Sequence, residues 1–308
     1  MFSQFSAQHI RGLMLVTWCV VFATRHDPVT LFIHYAGFTL LGVLGAVFAN
    51  ATGAGGGVVF VPFFNQMGFT PSATVATSFA IQCFGMTAGA ITWWRFHQKQ
   101  STLVEQKRAQ KSAQKMHNEQ WQSIYSVLIL VIPTSVVGLL IAQFNPSWFG
   151  PLANGDMLHI GFGIFSILLA ISMFFMVALT GRKPPISQLR PLDSILLPII
   201  CICGGIITAY LSIGVGELLA VYLIMRGFNV TFSIACAVIL SAITVWSGVI
   251  YHALVSQTIY WPVVLFAGPG AALGGILAKR LVLRFSAKHL KLFFASWILL
   301  LGLTGLVL

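Results

Sequence analysis

The chain has 308 residues, of which 57% are hydrophobic and 7% charged, and its formal net charge is +11. That composition excludes a soluble globular domain and contains several apolar segments of membrane-spanning length, so the chain reads as an all-α polytopic membrane protein. Nearly all of the 17 Lys and Arg sit between apolar segments, so the positive charge carries topology rather than a nucleic-acid surface.

In chain order, Arg11 precedes an apolar run over 13–23, and no small-residue cleavage pattern follows before Arg25, so an uncleaved first helix is expected. A turn at Arg25-His26-Asp27-Pro28 leads to one long helix over 29–51. Then comes Gly53-Ala54-Gly55-Gly56-Gly57, a glycine run that would break a helix and leave backbone groups unpaired in lipid. The apolar stretch 58–67 after it is too short to span a bilayer and reads as a half-helix. Pro71 marks a turn over 68–72, and 73–96 is a full span. The polar stretch 97–120 is a cytoplasmic linker, followed by spans over 123–142 and 158–179 and a basic connector over 181–193. A span over 194–211 meets a second glycine cluster, Ser212-Ile213-Gly214-Val215-Gly216, with a second half-helix over 218–225. Spans over 231–255, 261–278 and 290–308 complete the chain.

Sliding the first half by 159 positions lays Gly45 on Gly204, Gly55 on Gly214, Gly57 on Gly216, Gly68 on Gly227, Ala76 on Ala235 and Gly89 on Gly248. Beyond the linker the offset falls to 136, where Pro133 and Gly138 meet Pro269 and Gly274. The organisation is therefore an extra helix and turn over 1–28, a first repeat over 29–180, the connector 181–193 and a second repeat over 194–308. The loops at 97–120, 181–193 and 279–291 are basic and read as cytoplasmic, whereas 143–157 and 256–260 hold no Lys or Arg and read as external. This count places the N-terminus in the cytoplasm and the C-terminus outside a cytoplasmic (inner) membrane, and it makes the repeats inverted. It closes only if 29–67 and 194–226 are hairpins that return to their starting side.

Inverted repeats with broken helices are an architecture of secondary transporters. A ten-residue half-helix is ~15 Å long, about half a ~30 Å hydrocarbon core, so its N-terminus reaches the midplane. Loop N–H groups left free there, with the helix dipole, suit an anion. The backbone of Gly53, Gly55, Gly56 and Gly57 in the first loop and of Gly214 and Gly216 in the second is therefore expected to bind substrate. Asn50 and Thr52 before the first loop, Tyr210 and Ser212 before the second, and Thr77, Ser78, Gln82 and Ser241 on the following spans are the polar side chains placed to join them. For each of these an interhelical hydrogen bond is the alternative. Glu217 is the one acidic residue outside the loops and the turn at Asp27. A carboxylate at membrane depth costs about 2.5–3.5 kcal/mol on insertion scales and marks ion or proton pathways, so Glu217 is the candidate coupling group, with helix capping as the alternative role.

Gly53-Ala-Gly-Gly-Gly57 followed by Val58-Val-Phe-Val-Pro62, then Ala76-Thr77-Ser78 and Gly89, resembles the duplicated signature of the TauE/SafE sulfite exporter family over about residues 37–308. The resemblance implies export of a small inorganic or organic sulfur anion, such as sulfite or an organosulfonate, driven by an ion gradient. The second copy departs from it, with Val221 in place of Pro62, Cys236-Ala237 in place of Thr77-Ser78, and Glu217 in place of Val58.

Two other functions stay open at this level. An anion channel would share the same fold, and a membrane-embedded sulfur-handling enzyme would use Cys83, Cys201 or Cys236. All five cysteines fall in apolar runs and read as small hydrophobes, and no HExxH or GxSxG motif is present. No cofactor, metal site or nucleic-acid partner is expected; lipid is the surrounding partner, and a homodimer interface would look like any apolar helix face.

Overall fold

The computed structural model describes residues 27–106, 123–145, 155–179, 188–284 and 287–307, with positions 16, 18–20, 22–24, 121, 147 and 148. Most of the expected N-terminal helix and linker residues 107–120 lie outside the described residues. Every described element is helical: α1 (Pro28–Tyr35), α2 (Phe38–Thr52), α3 (Gly57–Gln66), α4 (Pro71–Gln106), α5 (Ile124–Phe144), α6 (Gly155–Leu179), α7 (Asp193–Leu211), α8 (Val215–Arg226), α9 (Val230–Tyr251), α10 (Trp261–Arg284) and α11 (Ala287–Val307). A π-helical turn, His252–Ser256, extends α9. Among the described residues five helices are long and apolar enough to cross a membrane, or six if the bent pair α1 and α2 forms one span.

Several boundaries differ from the sequence reading: α10 runs to Arg284 and α11 begins at Ala287, so most of the loop expected over 279–291 is helical. The single helix expected over 29–51 is two helices bent by 48° between Tyr35 and Phe38. The bend follows side-chain anchors: the Tyr35 hydroxyl is 2.7 Å from that of Tyr260, and Phe38 packs on Phe63 and Phe64. Helix α4 continues ten residues past Phe96 into the polar linker. The second half-helix starts at Val215 rather than 218, which puts Glu217 inside its first turn.

The half-helices α3 and α8 have 10 and 12 residues, ~15 and ~18 Å at 1.5 Å per residue. Each returns beside the start of the helix before it. In the first half the start of α2 meets the end of α3 through Phe38, whose ring centroid lies 6.2 Å from that of Phe63 and 6.4 Å from that of Phe64. In the second half Arg226, at the end of α8, grips Asp193 at the start of α7, with Nε donating to Oδ1 at 2.6 Å and Nη2 to Oδ2 at 2.9 Å. The Tyr222 hydroxyl and the Arg190 N–H donate to the same fully buried carboxylate. The first hairpin is thus closed by stacked rings and the second by a bidentate ion pair.

Helix pairings exchange between the halves. The sets α2–α6 and α7–α11 correspond in order. Helix α2 packs on α10 as α7 does on α5, α4 on α10 as α9 on α5, and α3 on α11 as α8 on α6. The pairs α4–α9 and α6–α11 bring each element against its own counterpart. Small residues make the closest crossings. Gly42, Gly270 and Gly274 lie against the carbonyls of Ala267, Thr39 and Val43 between α2 and α10, and Gly138 and Gly205 against those of Ile202 and Ser135 between α5 and α7. Leu40, Ile129, Leu168 and Leu254 point outward as an apolar, lipid-facing surface.

Replacing Gly270 by valine forces the α2–α10 crossing apart and is expected to destabilise the detergent-solubilised protein by about 1–3 kcal/mol. Gly37 has nothing within 4 Å of an added Cβ and a helical φ of −59°, so Gly37→Ala is expected to change stability by less than about 1 kcal/mol. Thermal unfolding of the two variants side by side checks the contrast. For the ionic clamp, Arg226→Met leaves Asp193 buried and unpaired and should cost about 3 kcal/mol, most of it recovered in Asp193→Asn/Arg226→Met.

Candidate functional site

The long helix of each half stops at the centre of the fold because its last residue turns left-handed. Gly53, after α2, has φ 82°, and Ser212, after α7, has φ 59°. The two positions are 159 apart, the repeat offset. A left-handed serine is uncommon, and such residues concentrate where a site over-determines the backbone. The loops then press on each other reciprocally. A Cβ on Gly57 would strike the carbonyl of Ser212, and one on Gly216 would strike the carbonyl of Gly53 and the hydroxyl of Ser241. Only glycine permits this approach, which brings the N-termini of α3 and α8 together.

The sequence reading left the loop N–H groups free; in the structure those of Ala54, Gly55, Gly56, Gly214 and Val215 carry partners. The Ala54 N–H donates to Thr52 Oγ1 at 3.0 Å, and the Val215 N–H to Thr208 Oγ1 at 3.0 Å. The Gly56 N–H donates to Gln82 Oε1 at 2.8 Å. At the meeting point, Glu217 Oε1 accepts the Gly55 N–H and Oε2 accepts the Gly214 N–H, each at 2.8 Å. One carboxylate therefore holds a backbone donor from each loop. Within its own half Glu217 folds back on the residue before the helix, as a helix-capping carboxylate does. Across the halves it sets its two oxygens between two helix N-termini, where an anion is favoured.

Gln82 ties the same loops together from α4. Its Nε2 donates to Ser212 O at 3.1 Å, Ser212 Oγ at 2.8 Å and Ser78 Oγ at 3.0 Å, and the Ser212 hydroxyl donates to Ser78 Oγ at 2.9 Å. A small cavity adjoins this network, bounded by Gly55, Gln82, Thr208, Ser212, Gly214 and Gly216, with Glu217, Ser241, Ile213 and Val245. Its interior has room for about one water. No Lys or Arg is among these lining residues, so the positive potential there comes from backbone N–H groups and helix dipoles. The Ser241 hydroxyl is buried without a hydrogen-bond partner and lies against Gly216 at the start of α8.

Of the residues singled out from sequence, Gly53, Gly55, Gly56, Gly57, Ser78, Gln82, Ser212, Gly214, Gly216, Glu217 and Ser241 converge on the loops or this cavity. Four are engaged elsewhere. Thr77 accepts the Tyr260 N–H at 3.0 Å, and the Tyr210 hydroxyl donates to Ala142 O at 3.1 Å. Thr52 bonds back to Phe48 O at 2.9 Å and, away from the cavity, holds the loop through the Ala54 N–H. Asn50 donates to Ala46 O and Gly85 O, and its buried Oδ1 is unpartnered and packed on Gly89. Thr208, Ile213, Val215 and Val245 were missed. For Thr208 a signal existed, since a threonine four residues before the helix-ending Ser212 can face the next helix start.

The family described as sulfite exporter TauE/SafE matches residues 112–305. The matched stretch contains the second loop and Glu217 and begins after the first loop. No curated protein and no solved structure matches the chain.

Gln82→Leu leaves the buried Gly56 N–H without its acceptor, at a cost of about 1–3 kcal/mol. The expected outcome is a lower melting temperature together with faster hydrogen exchange at the Gly56 amide, read by mass spectrometry on peptides spanning the loop.

Proposed function

We propose, from the premise that this chain belongs to the sulfite exporter TauE/SafE family, that it is a secondary-active transporter exporting a small sulfur-containing anion. Sulfite or an organosulfonate is the substrate, and Glu217 carries a coupling proton. One observation carries the reading: a single buried carboxylate accepts backbone N–H groups from both loops at the meeting point of two half-helices. A place that holds one anion on backbone donors is chemically fit for another.

The exchange of helix pairings and the reciprocal contacts of Gly57 and Gly216 support reading 29–180 and 194–308 as an inverted repeat. Alternating access is then a rocking of one half against the other about the loops. The basic loops at 97–120, 181–193 and 279–291 support a cytoplasmic position for those segments. In the cycle Glu217 is neutral when substrate is bound and ionised when it is not, so proton and anion move in the same direction. A dianion leaving with one proton exports one net negative charge, favoured by an inside-negative potential at about 2.3 kcal/mol per 100 mV.

Reconstituted into proteoliposomes, the protein should move sulfite with saturable kinetics, fastest when the side loaded with anion is the more acidic. Linear, unsaturable flux would instead identify a channel, and no response to any sulfur oxyanion would overturn the substrate class. Glu217→Gln should retain substrate binding and lose the pH dependence of flux; full transport with an unchanged pH profile would remove the coupling role. Gly56→Leu should abolish binding, because a Cβ there already meets Phe60 at 2.7 Å and Gln82 at 3.0 Å.

A further inference from the structure

Glu217 and the transported anion cannot both occupy the centre. The cavity beside the carboxylate has room for about one water, and the N–H groups of Gly55 and Gly214 are each taken by a Glu217 oxygen at 2.8 Å. The carboxylate offers one oxygen to each loop, so any replacement that keeps both loops satisfied must also present two oxygens on one centre. A third group waits at the same place. The hydroxyl of Ser241, 3% exposed and without a hydrogen-bond partner, lies on the cavity wall beside Gly216. A buried hydroxyl with no partner costs stability unless a ligand satisfies it. Gln82 occupies the corresponding position of the first half, 159 residues earlier, and is fully bonded to Gly56, Ser212 and Ser78. At this position, therefore, the polar group of the first half is satisfied and that of the second half, on the Glu217 side, is not.

We infer that Glu217 is a resident anion in the substrate's own seat, and that transport begins when an oxyanion displaces it. The entering anion places one oxygen on the Gly55 N–H, a second on the Gly214 N–H and a third on the Ser241 hydroxyl. This rests on the transport reading above and narrows it to anions with three oxygens on one atom, as sulfite and sulfonates have. A carboxylate has two oxygens and leaves Ser241 unpaired, and chloride cannot span the two loops as a pair of oxygens does. Displacement requires the carboxylate to leave the two N–H groups, which protonation favours by removing the charge they hold. Glu217 is the one titratable group on the cavity wall: α4 contributes Gln82, α7 Thr208, α9 Ser241 and Val245, and the first loop Gly55. Cys83, Cys201 and Cys236 belong to the same three helices but are not among the lining residues.

The test is binding of sulfite, methanesulfonate, acetate and chloride to the purified full-length protein in nanodiscs, by calorimetry and thermal shift, from pH 5.5 to 8. In the wild type, sulfite and methanesulfonate should bind more tightly as pH falls, and acetate and chloride should not stabilise. In Glu217→Ala the seat is vacant, so sulfite should bind about tenfold tighter at pH 8, the pH dependence of methanesulfonate, which stays ionised throughout this range, should be lost, and acetate should now raise the melting temperature. Ser241→Ala should weaken sulfite about fivefold without lowering the ligand-free melting temperature, since that hydroxyl has no partner to lose and its removal relieves an unsatisfied buried group. Should Glu217→Ala fail to fold, Glu217→Gln and Ser241→Ala carry the same comparison. Wild-type transport with unaltered sulfite affinity in both the Glu217 and Ser241 variants would overturn the displacement and leave the transport reading intact. Absence of sulfite binding and transport in the wild type would instead bring down the transport reading itself.

Discussion

The centre of this protein depends on two backbone N–H groups, from Gly55 and Gly214, pointing at one carboxylate. Backbone donors at membrane depth have no water to satisfy them, and a helix that stops there exposes its first N–H groups. Glu217 resolves both problems with one side chain, at an insertion cost on the order of 2.5–3.5 kcal/mol that only such donors can offset. Much of the remaining architecture follows from bringing those two donors to within reach of the same group. The long helices must end in left-handed residues, the half-helices must be short, and the residues where the loops touch must be glycine.

The frame is close to symmetric and its chemistry is not. Gly57 and Gly216 press on the carbonyls of Ser212 and Gly53, and the contacts of α2, α3 and α4 with α10 and α11 have counterparts in those of α7, α8 and α9 with α5 and α6. On that frame the first half closes its hairpin with Phe38 against Phe63 and Phe64, and the second with Asp193 against Arg226. The first half offers Gln82, fully bonded, where the second offers Ser241, unpaired. The acid itself stands where the first half has Val58. A shared backbone thus provides two meeting helix ends, and the differences between the halves decide what those ends hold.

Much of the fold was legible because hydrophobic length and glycine position are properties of the chain. Apolar runs of spanning length located the helices, though α4 and α10 run on into polar segments, and the short runs after Gly57 and Gly216 located the half-helices. Errors arose where a distant side chain decides a local boundary. The bend between Tyr35 and Phe38 is anchored by Tyr260, which no local pattern could connect to it. Helix α8 begins before Glu217 because the Glu217 side chain turns back to Gly214 and stabilises the first turn. Thr77 and Tyr210 were grouped with the site for their nearness in sequence, yet their partners are Tyr260 and Ala142.

By itself the sequence determined that this is a membrane protein of paired segments with two glycine breaks and one acid inside the apolar part. Composition, period and charge placement are local quantities, and the bilayer turns them directly into helix lengths. Only the tertiary structure decided that the two breaks meet and that the acid of one half satisfies a donor of the other. Contact between residues 162 positions apart depends on how the helices pack across the molecule. That packing is set by close approaches of Gly42, Gly138, Gly205 and Gly270 to carbonyls of neighbouring helices, and no single segment encodes it.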